Sequence, residues 1–164
     1  YEMCDSDWSS DVCSSICLLM KILVDSREQR PYTFEGYPDV TTETVGLETG
    51  DYTIEGYEDV FVIERKSLPD LMGTMTRGRN RFQREMDRAA DMGMFEVVIE
   101  ASRDQIESGD YRSQMNPNAA IGSIKAWSRP ENIRFVYAND RANAERYTYG
   151  RLIELRDYYE GLAF

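Results

Sequence analysis

Histidine is absent from this chain of 164 residues, and its three cysteines, Cys4, Cys13 and Cys17, all precede residue 20. Without imidazole there is no Ser-His-Asp triad, no Cys-His pair and no imidazole-ligated metal. Any chemistry must draw on carboxylates, lysine, arginine, tyrosine or hydroxyls. Lysine is also scarce, because only Lys21, Lys66 and Lys125 among the nineteen basic residues are lysine. Thirty acidic residues outnumber the bases and give a net charge of −11 at pH 7. That balance opposes general binding to polyanions, which depends on basic side chains displacing phosphate counterions. No apolar run reaches the length of about 18 residues that a membrane-spanning helix requires. Hydrophobic residues at 41% and aromatics at 12% nevertheless suffice for a core, and a chain of roughly 150 residues buries about 70% of its unfolded surface in one domain.

The first nineteen residues share neither the charge pattern nor the periodicity of the rest. Asp7 to Ser15 (DWSSDVCSS) resembles one translated frame of a sequencing adapter, and Tyr1-Glu2-Met3 resembles the same oligonucleotide. Residues 1–19 are therefore expected to be an artefactual or disordered extension, and residues 20–164 the domain. A signal peptide fits poorly, since Glu2, Asp5, Asp7 and Asp11 replace the usual basic segment. A cysteine metal site is weakly supported by the Cys13–Cys17 spacing alone. The extension holds four acids and no base, so the remainder carries −7 and no cysteine. The expectation is a soluble cytoplasmic protein of prokaryotic or viral origin.

Short branched runs punctuated by turn residues predict strands over Lys21–Asp25, Thr41–Val45, Asp51–Ile54, Val60–Glu64, Phe95–Glu100 and Ile133–Ala138. Ser67 followed by Leu68-Pro69 predicts a capped helix start. A second helix is expected from Asn80, with Phe82, Met86 and Ala89 on one face. Asn116-Pro117 opens a third, carrying Ala120, Ile121, Ile124 and Trp127 to a stop at Pro130. Asp140 opens a last amphipathic helix to Tyr159, with Ala144, Tyr147, Leu152, Leu155 and Tyr159 as its apolar set. Strands first, then helices alternating with strands, predict an α/β domain in which helices flank a mixed central sheet.

The sharpest chemical feature is Val62-Ile63-Glu64-Arg65-Lys66. On a strand, alternate side chains share a face, so Glu64 and Lys66 project together while Arg65 points the other way. An acid beside an amine can hold a divalent cation and orient a water. Asp51 lies across the expected hairpin, and Asp25 and Glu28 end the first strand, giving up to four carboxylates. Oxygen-only ligation of this type suits Mg²⁺, with Mn²⁺ able to substitute. Each piece alone has an ordinary explanation: a solvated ion pair, a turn, a strand end, and for Asp70 an acid favoured by the helix dipole.

Together the ordered elements Asp25-Ser-Arg-Glu28, Gly50-Asp51-Tyr52 and Glu64-Arg-Lys-Ser-Leu-Pro-Asp70 resemble the nuclease domain of XPF-type structure-selective endonucleases and the related archaeal Hef proteins. That family carries GD followed after a spacer by ERKxxxD, and every fixed position is matched. Gly78-Arg79, Phe82 and the segment Asn116–Ile124 extend the likeness. The resemblance implies a restriction-endonuclease-like fold within the PD-(D/E)XK superfamily and Mg²⁺-dependent hydrolysis of DNA phosphodiesters at branched, flap or junction structures in repair or recombination. Asp25, Glu28, Asp51 and Glu64 would bind metal, Lys66 would position or deprotonate water, and Arg65 and Asp70 would complete the catalytic motif. The alternative it implies is a non-catalytic subunit that binds branched DNA, though such partners normally lose acids from the motif and this sequence keeps them all.

Arg77, Arg79, Arg81, Arg84 and Arg88 face only Glu85 and Asp87 between residues 77 and 88, a local charge of +3. Spacings of three and four gather Arg77, Arg81, Arg84 and Arg88 on one helix side. These arginines, with Arg27, are the expected DNA contacts, and Lys125 and Arg129 are further candidates. No hairpin motif of the kind that follows the nuclease domain in larger family members is evident after the last helix. A homodimer or heterodimer through that helix, and a helicase or clamp partner, are compatible expectations.

Overall fold

The computed structural model describes residues 19–161. The expected extension, apart from Leu19, and its three cysteines lie outside the described residues. Six strands and five helices follow in the order β1 (Met20–Asp25), β2 (Val40–Val45), β3 (Tyr52–Ile54), β4 (Phe61–Lys66), α1 (Leu68–Met75), α2 (Arg79–Ala89), β5 (Met94–Ile99), α3 (Arg103–Ser108), α4 (Pro117–Trp127), β6 (Ile133–Tyr137) and α5 (Arg141–Tyr159). The strands form one sheet in the order β2-β1-β3-β4-β5-β6. Only β3 runs antiparallel to its neighbours, and the β1–β2, β4–β5 and β5–β6 pairs are parallel. The sheet is thus mixed, as the strand and helix order predicts.

Alternation along the central strands sorts the core into two layers. Val62, Val97 and Ile99 face α1, α2 and α4, where they meet Leu71, Phe82, Met86 and Ile124. Ile63 and Val98 face the other way, toward Ile22, Val24, Tyr52 and the Ala144, Leu152 and Leu155 side of α5. All six residues of β4 are buried, since both sheet faces are covered there. Functional groups at its end are therefore held by packing on both sides.

Local signals account for most boundaries. Ser67 accepts from the Asp70 N–H and caps α1, with Pro69 in the first turn. Asn116 caps α4 ahead of Pro117, and Asp140 caps α5. The start of α2 differs from expectation: Gly78 occupies the cap without a side-chain bond, and Asn80 lies inside the helix. Helix α3 has no counterpart among the expected elements. Ser102 accepts from the Gln105 N–H at 3.0 Å and Gly109 closes the helix at φ 75°, but Ile106 is its single buried residue, too little to produce an apolar period. On α5 the buried row is Ala144, Thr148, Leu152 and Leu155, while Tyr147 donates its hydroxyl to Glu96 at 2.9 Å.

Candidate active site

Gly50 begins the site. Its φ of 75° lies in the left-handed region, and a Cβ there would stand 2.9 Å from the Val62 side chain. Glycine alone allows the turn to pass this close to β4. The turn delivers Asp51 one position beyond the Tyr52–Ile63 pair. Two bonds then fix it: its N–H donates to the Ile63 carbonyl at 2.9 Å, and its Oδ2 accepts from the Arg65 N–H at 2.7 Å. The GD pair is thus a device for setting a carboxylate against the end of the neighbouring strand.

Glu64 and Lys66 share the face that looks toward α1 and α2, as alternation predicts, and the Lys66 ammonium donates directly to Glu64 Oε1. Both residues are buried, at 5% and 7% exposure. The Lys66 Nζ also lies 5.0 Å from the centre of the Phe82 ring on α2, a cation–π arrangement. Burial pulls the Lys66 ammonium toward deprotonation, but the charge of Glu64 and the hydrogen bond to it, with Glu85 and Asp51 behind, outweigh that and raise its pKa. Burial, reinforced by the charge of Glu64, holds the Asp51 carboxyl well above the usual carboxylate range, against the pull of the Arg65 N–H and of Lys66.

The remaining expected ligands are placed differently. Arg65 leaves the opposite face of β4 and takes Glu28 with it, Nη1 donating to both Glu28 oxygens at 3.3 Å. Glu28 therefore stands across the strand from Glu64, because the guanidinium outcompetes any arrangement with two like charges. Asp25 is buried and accepts from Arg27 Nε at 2.7 Å and from the Leu47 N–H at 3.2 Å. Asp70 is exposed and belongs to the α1 cap, where Ser67 Oγ donates to it at 2.5 Å. Among the described residues no three Asp, Glu, Cys or His side chains converge as a ready-made metal cage. Of the four carboxylates expected to act together, the structure sets Asp51 and Glu64 at the joined ends of β3 and β4 and pairs Glu28 and Asp25 with arginines.

The arginines divide as well. Arg81, Arg84 and Arg88 are exposed on one side of α2, and Arg88 reaches Thr49 at 3.2 Å, beside the Gly50 turn. Arg77 precedes the helix. Arg79 turns to α4, donating to Ser123 Oγ at 2.9 Å and stacking over Trp127 at 5.0 Å. Arg27 is exposed but anchored on Asp25.

Sequence reasoning missed two acids. Glu85, counted from the sequence only as an acid set against the arginines, borders the site. Burial and the charge of Glu64 push its carboxyl up to about 7, while Lys66 and the Gly50 N–H pull the other way. Only its place three residues after Phe82, beside the buried face of α2, set it apart from Asp87. Glu100, one residue beyond β5, accepts from Arg65 through both oxygens, at 2.7 and 2.9 Å.

A mixed six-stranded sheet with flanking helices, carrying acid, acid and lysine at the joined ends of β3 and β4, is a restriction-endonuclease-like α/β domain. The model of the ERCC4 domain family matches residues 24–150, and the chain belongs to that family of nuclease domains. Among solved structures, XPF from Aeropyrum pernix superposes with a TM-score of 0.64 at 19% identity, over 81% of this chain and 60% of that one. The same organism's XPF in complex with DNA gives 0.61 at 18% identity, over 87% and 66%. The chain thus spans about two thirds or less of the length of these structures, and the likeness at such identity is one of fold. No curated protein matches the sequence significantly.

Proposed function

We propose that this domain is a divalent-cation-dependent endonuclease acting on DNA, with branched, flap or single-strand/duplex junctions as the substrate class. The observation that carries the reading is the buried Lys66 ammonium meeting Glu64, with Asp51 fixed on the adjoining strand. The donor set suits a hard cation, because burial, reinforced by the charge of Glu64, leaves the Asp51 carboxylate short of counter-charge that a cation would supply. Mg²⁺ typically takes one or two protein carboxylates and fills its remaining positions with water and substrate phosphate. Asp51 and Glu64 would hold it. When bound, such a cation neutralises charge on the scissile phosphate and lowers the pKa of water, which makes histidine unnecessary.

The other roles follow from this chain's own groups. Lys66 is held as the ammonium, so it donates to a water or a phosphate oxygen and stabilises negative charge as it develops. The peptide N–H of Arg65 keeps Asp51 turned toward Glu64. Arg81, Arg84 and Arg88 lie on the side of α2 next to the Gly50 turn and supply the local positive field that a net-acidic protein needs to approach DNA. Family membership and the DNA-bound XPF of Aeropyrum pernix support DNA as the polymer.

A second reading, a subunit that binds DNA without cutting it, is favoured by one observation. Asp25 and Glu28 are both paired with arginines. Cleavage of labelled flap, splayed-arm, nicked and plain duplex DNA in Mg²⁺ or in EDTA separates the two. The nuclease reading expects Mg²⁺-dependent products from the wild type and a loss of about 100-fold or more in Lys66→Ala, with DNA binding retained. Equal cutting by Lys66→Ala would refute the site, and binding without any cutting in Mg²⁺ would establish the second reading.

A further inference from the structure

Behind the candidate site, on the α5 side of the sheet, one buried carboxylate collects four donors. Glu100 Oε1 accepts from Arg65 Nε at 2.7 Å, Tyr32 Oη at 3.1 Å and Arg141 Nη1 at 3.3 Å, and Oε2 accepts from Arg65 Nη2 at 2.9 Å. Its side chain is 8% exposed, and that of Arg65 6%. Arg141 extends the network by donating to the carbonyls of Arg30 and Pro31 at 2.9 and 2.8 Å. Arg65 also holds Glu28. Two carboxylates and two guanidiniums are thus balanced in a largely dry cluster that ties β4, β5, the start of α5 and the loop after β1 together.

The consequence for the site lies in Arg65 itself. Its guanidinium is clamped on one face of β4, while its peptide N–H donates to Asp51 on the adjoining strand. The β3–β4 pairing is registered only at Tyr52 and Ile63, so beyond it the clamped side chain restrains the Arg65 backbone and favours the N–H direction that meets the Asp51 carboxylate. We infer that Glu100 is a positioning residue for the cation site: it locks Arg65, and Arg65 orients Asp51. Glu100 touches neither the cation nor the phosphate. The bidentate fork is the element that makes this work, since a planar guanidinium held at two nitrogens cannot rotate about the strand axis as a single-bonded group can. Gln at position 100 keeps the volume but removes the charge and turns an amide N–H₂ toward one nitrogen of the fork. Arg65 is then left to pair with Glu28 alone.

This inference rests on the proposed site, and the test separates the two. Mn²⁺ binding to the full chain is measured without DNA, by calorimetry or by the electron paramagnetic resonance of free Mn²⁺, for the wild type, Glu100→Gln and Glu96→Gln. Glu96 serves as the comparison because it lies on β5, shortly before Glu100 and on the same side of the sheet, and is fully buried. It bonds to Tyr147 and Arg151 of α5 and makes no bond to Arg65. Glu100→Gln is expected to weaken Mn²⁺ binding by about tenfold or more, as groups behind metal ligands commonly do, with Glu96→Gln within about twofold of wild type. Wild-type affinity in Glu100→Gln, or equal weakening in both variants, overturns the inference and leaves the site reading standing. A wild type that binds no Mn²⁺ overturns both. If Glu100→Gln does not fold, Arg141→Gln removes one of the donors to Glu100 from a half-buried position and should weaken binding at least about threefold. Unchanged affinity in that variant overturns the inference.

Discussion

Replacing Glu85 by Gln should stabilise the cation-free protein at alkaline pH, although it deletes a charged residue from the surface of a helix. In the folded state the Glu85 carboxyl titrates at about 7, against an ordinary 4.5, because it is pressed into the site near Glu64. The sign follows from that elevation. A folded pKa above the unfolded one gives a contribution that is fully present below the unfolded value and is lost as pH rises through the folded value. Each unit of displacement corresponds to about 1.4 kcal/mol, so the whole displacement has a ceiling of about 3 kcal/mol. The side chain is partly accessible to solvent, which reduces the figure, and part of the change is complete by pH 5. We therefore expect the wild type to lose about 2 kcal/mol relative to Glu85→Gln between pH 5 and pH 8. Urea unfolding of both proteins in EDTA at intervals across this range gives the difference directly, since other titrating groups largely cancel. A gap that stays flat with pH, or one in which Glu85→Gln is the less stable protein at pH 8, would show that Glu85 is not buried beside Glu64. The placement of α2 beside the site would then be wrong.

Two further substitutions test other parts of the architecture. Gly50→Ala places a Cβ at a positive φ and 2.9 Å from Val62, so it should cost at least about 1–2 kcal/mol in urea unfolding from the backbone alone. It should also reduce Mg²⁺-dependent cleavage by displacing Asp51, and wild-type stability with wild-type cleavage would contradict the proposed reason for the glycine. Removing Arg81, Arg84 and Arg88 together should weaken DNA binding uniformly across sequences. It should also lower the slope of log affinity against log salt by roughly one for each phosphate that is no longer neutralised, and an unchanged slope would assign DNA binding to other side chains.

Much of the fold was legible because β1, β4 and β5 are largely apolar runs buried on both faces and α1, α4 and α5 open on Ser67, Asn116 and Asp140, signals that act within a few residues. The division of β4 was legible for the same reason: a period of two sets Glu64 and Lys66 on one face and Arg65 on the other, whatever surrounds them. The positions of Glu28 and Glu85 were not. Glu28 is drawn to a guanidinium 37 positions away, a competition visible only after the loop following β1 has been folded back over β4. Glu85 reads as an ordinary acid among arginines until the packing of Phe82 against Lys66 and of Arg79 against Trp127 sets the rotation of α2. Helix α3, with a single buried residue, carries too little pattern to announce itself. Asp70 belongs to the sequence motif, yet its visible partner is a helix-capping hydroxyl.

The direct test of the cation site is crystallographic. Crystals grown with millimolar Mn²⁺ and measured above and below the manganese absorption edge should give an anomalous difference peak about 2–2.5 Å from a carboxylate oxygen of both Asp51 and Glu64. The Lys66 ammonium should stand alongside, released from Glu64. A peak bound elsewhere, or well-ordered Asp51 and Glu64 carboxylates with no peak between them at that concentration, would contradict the account.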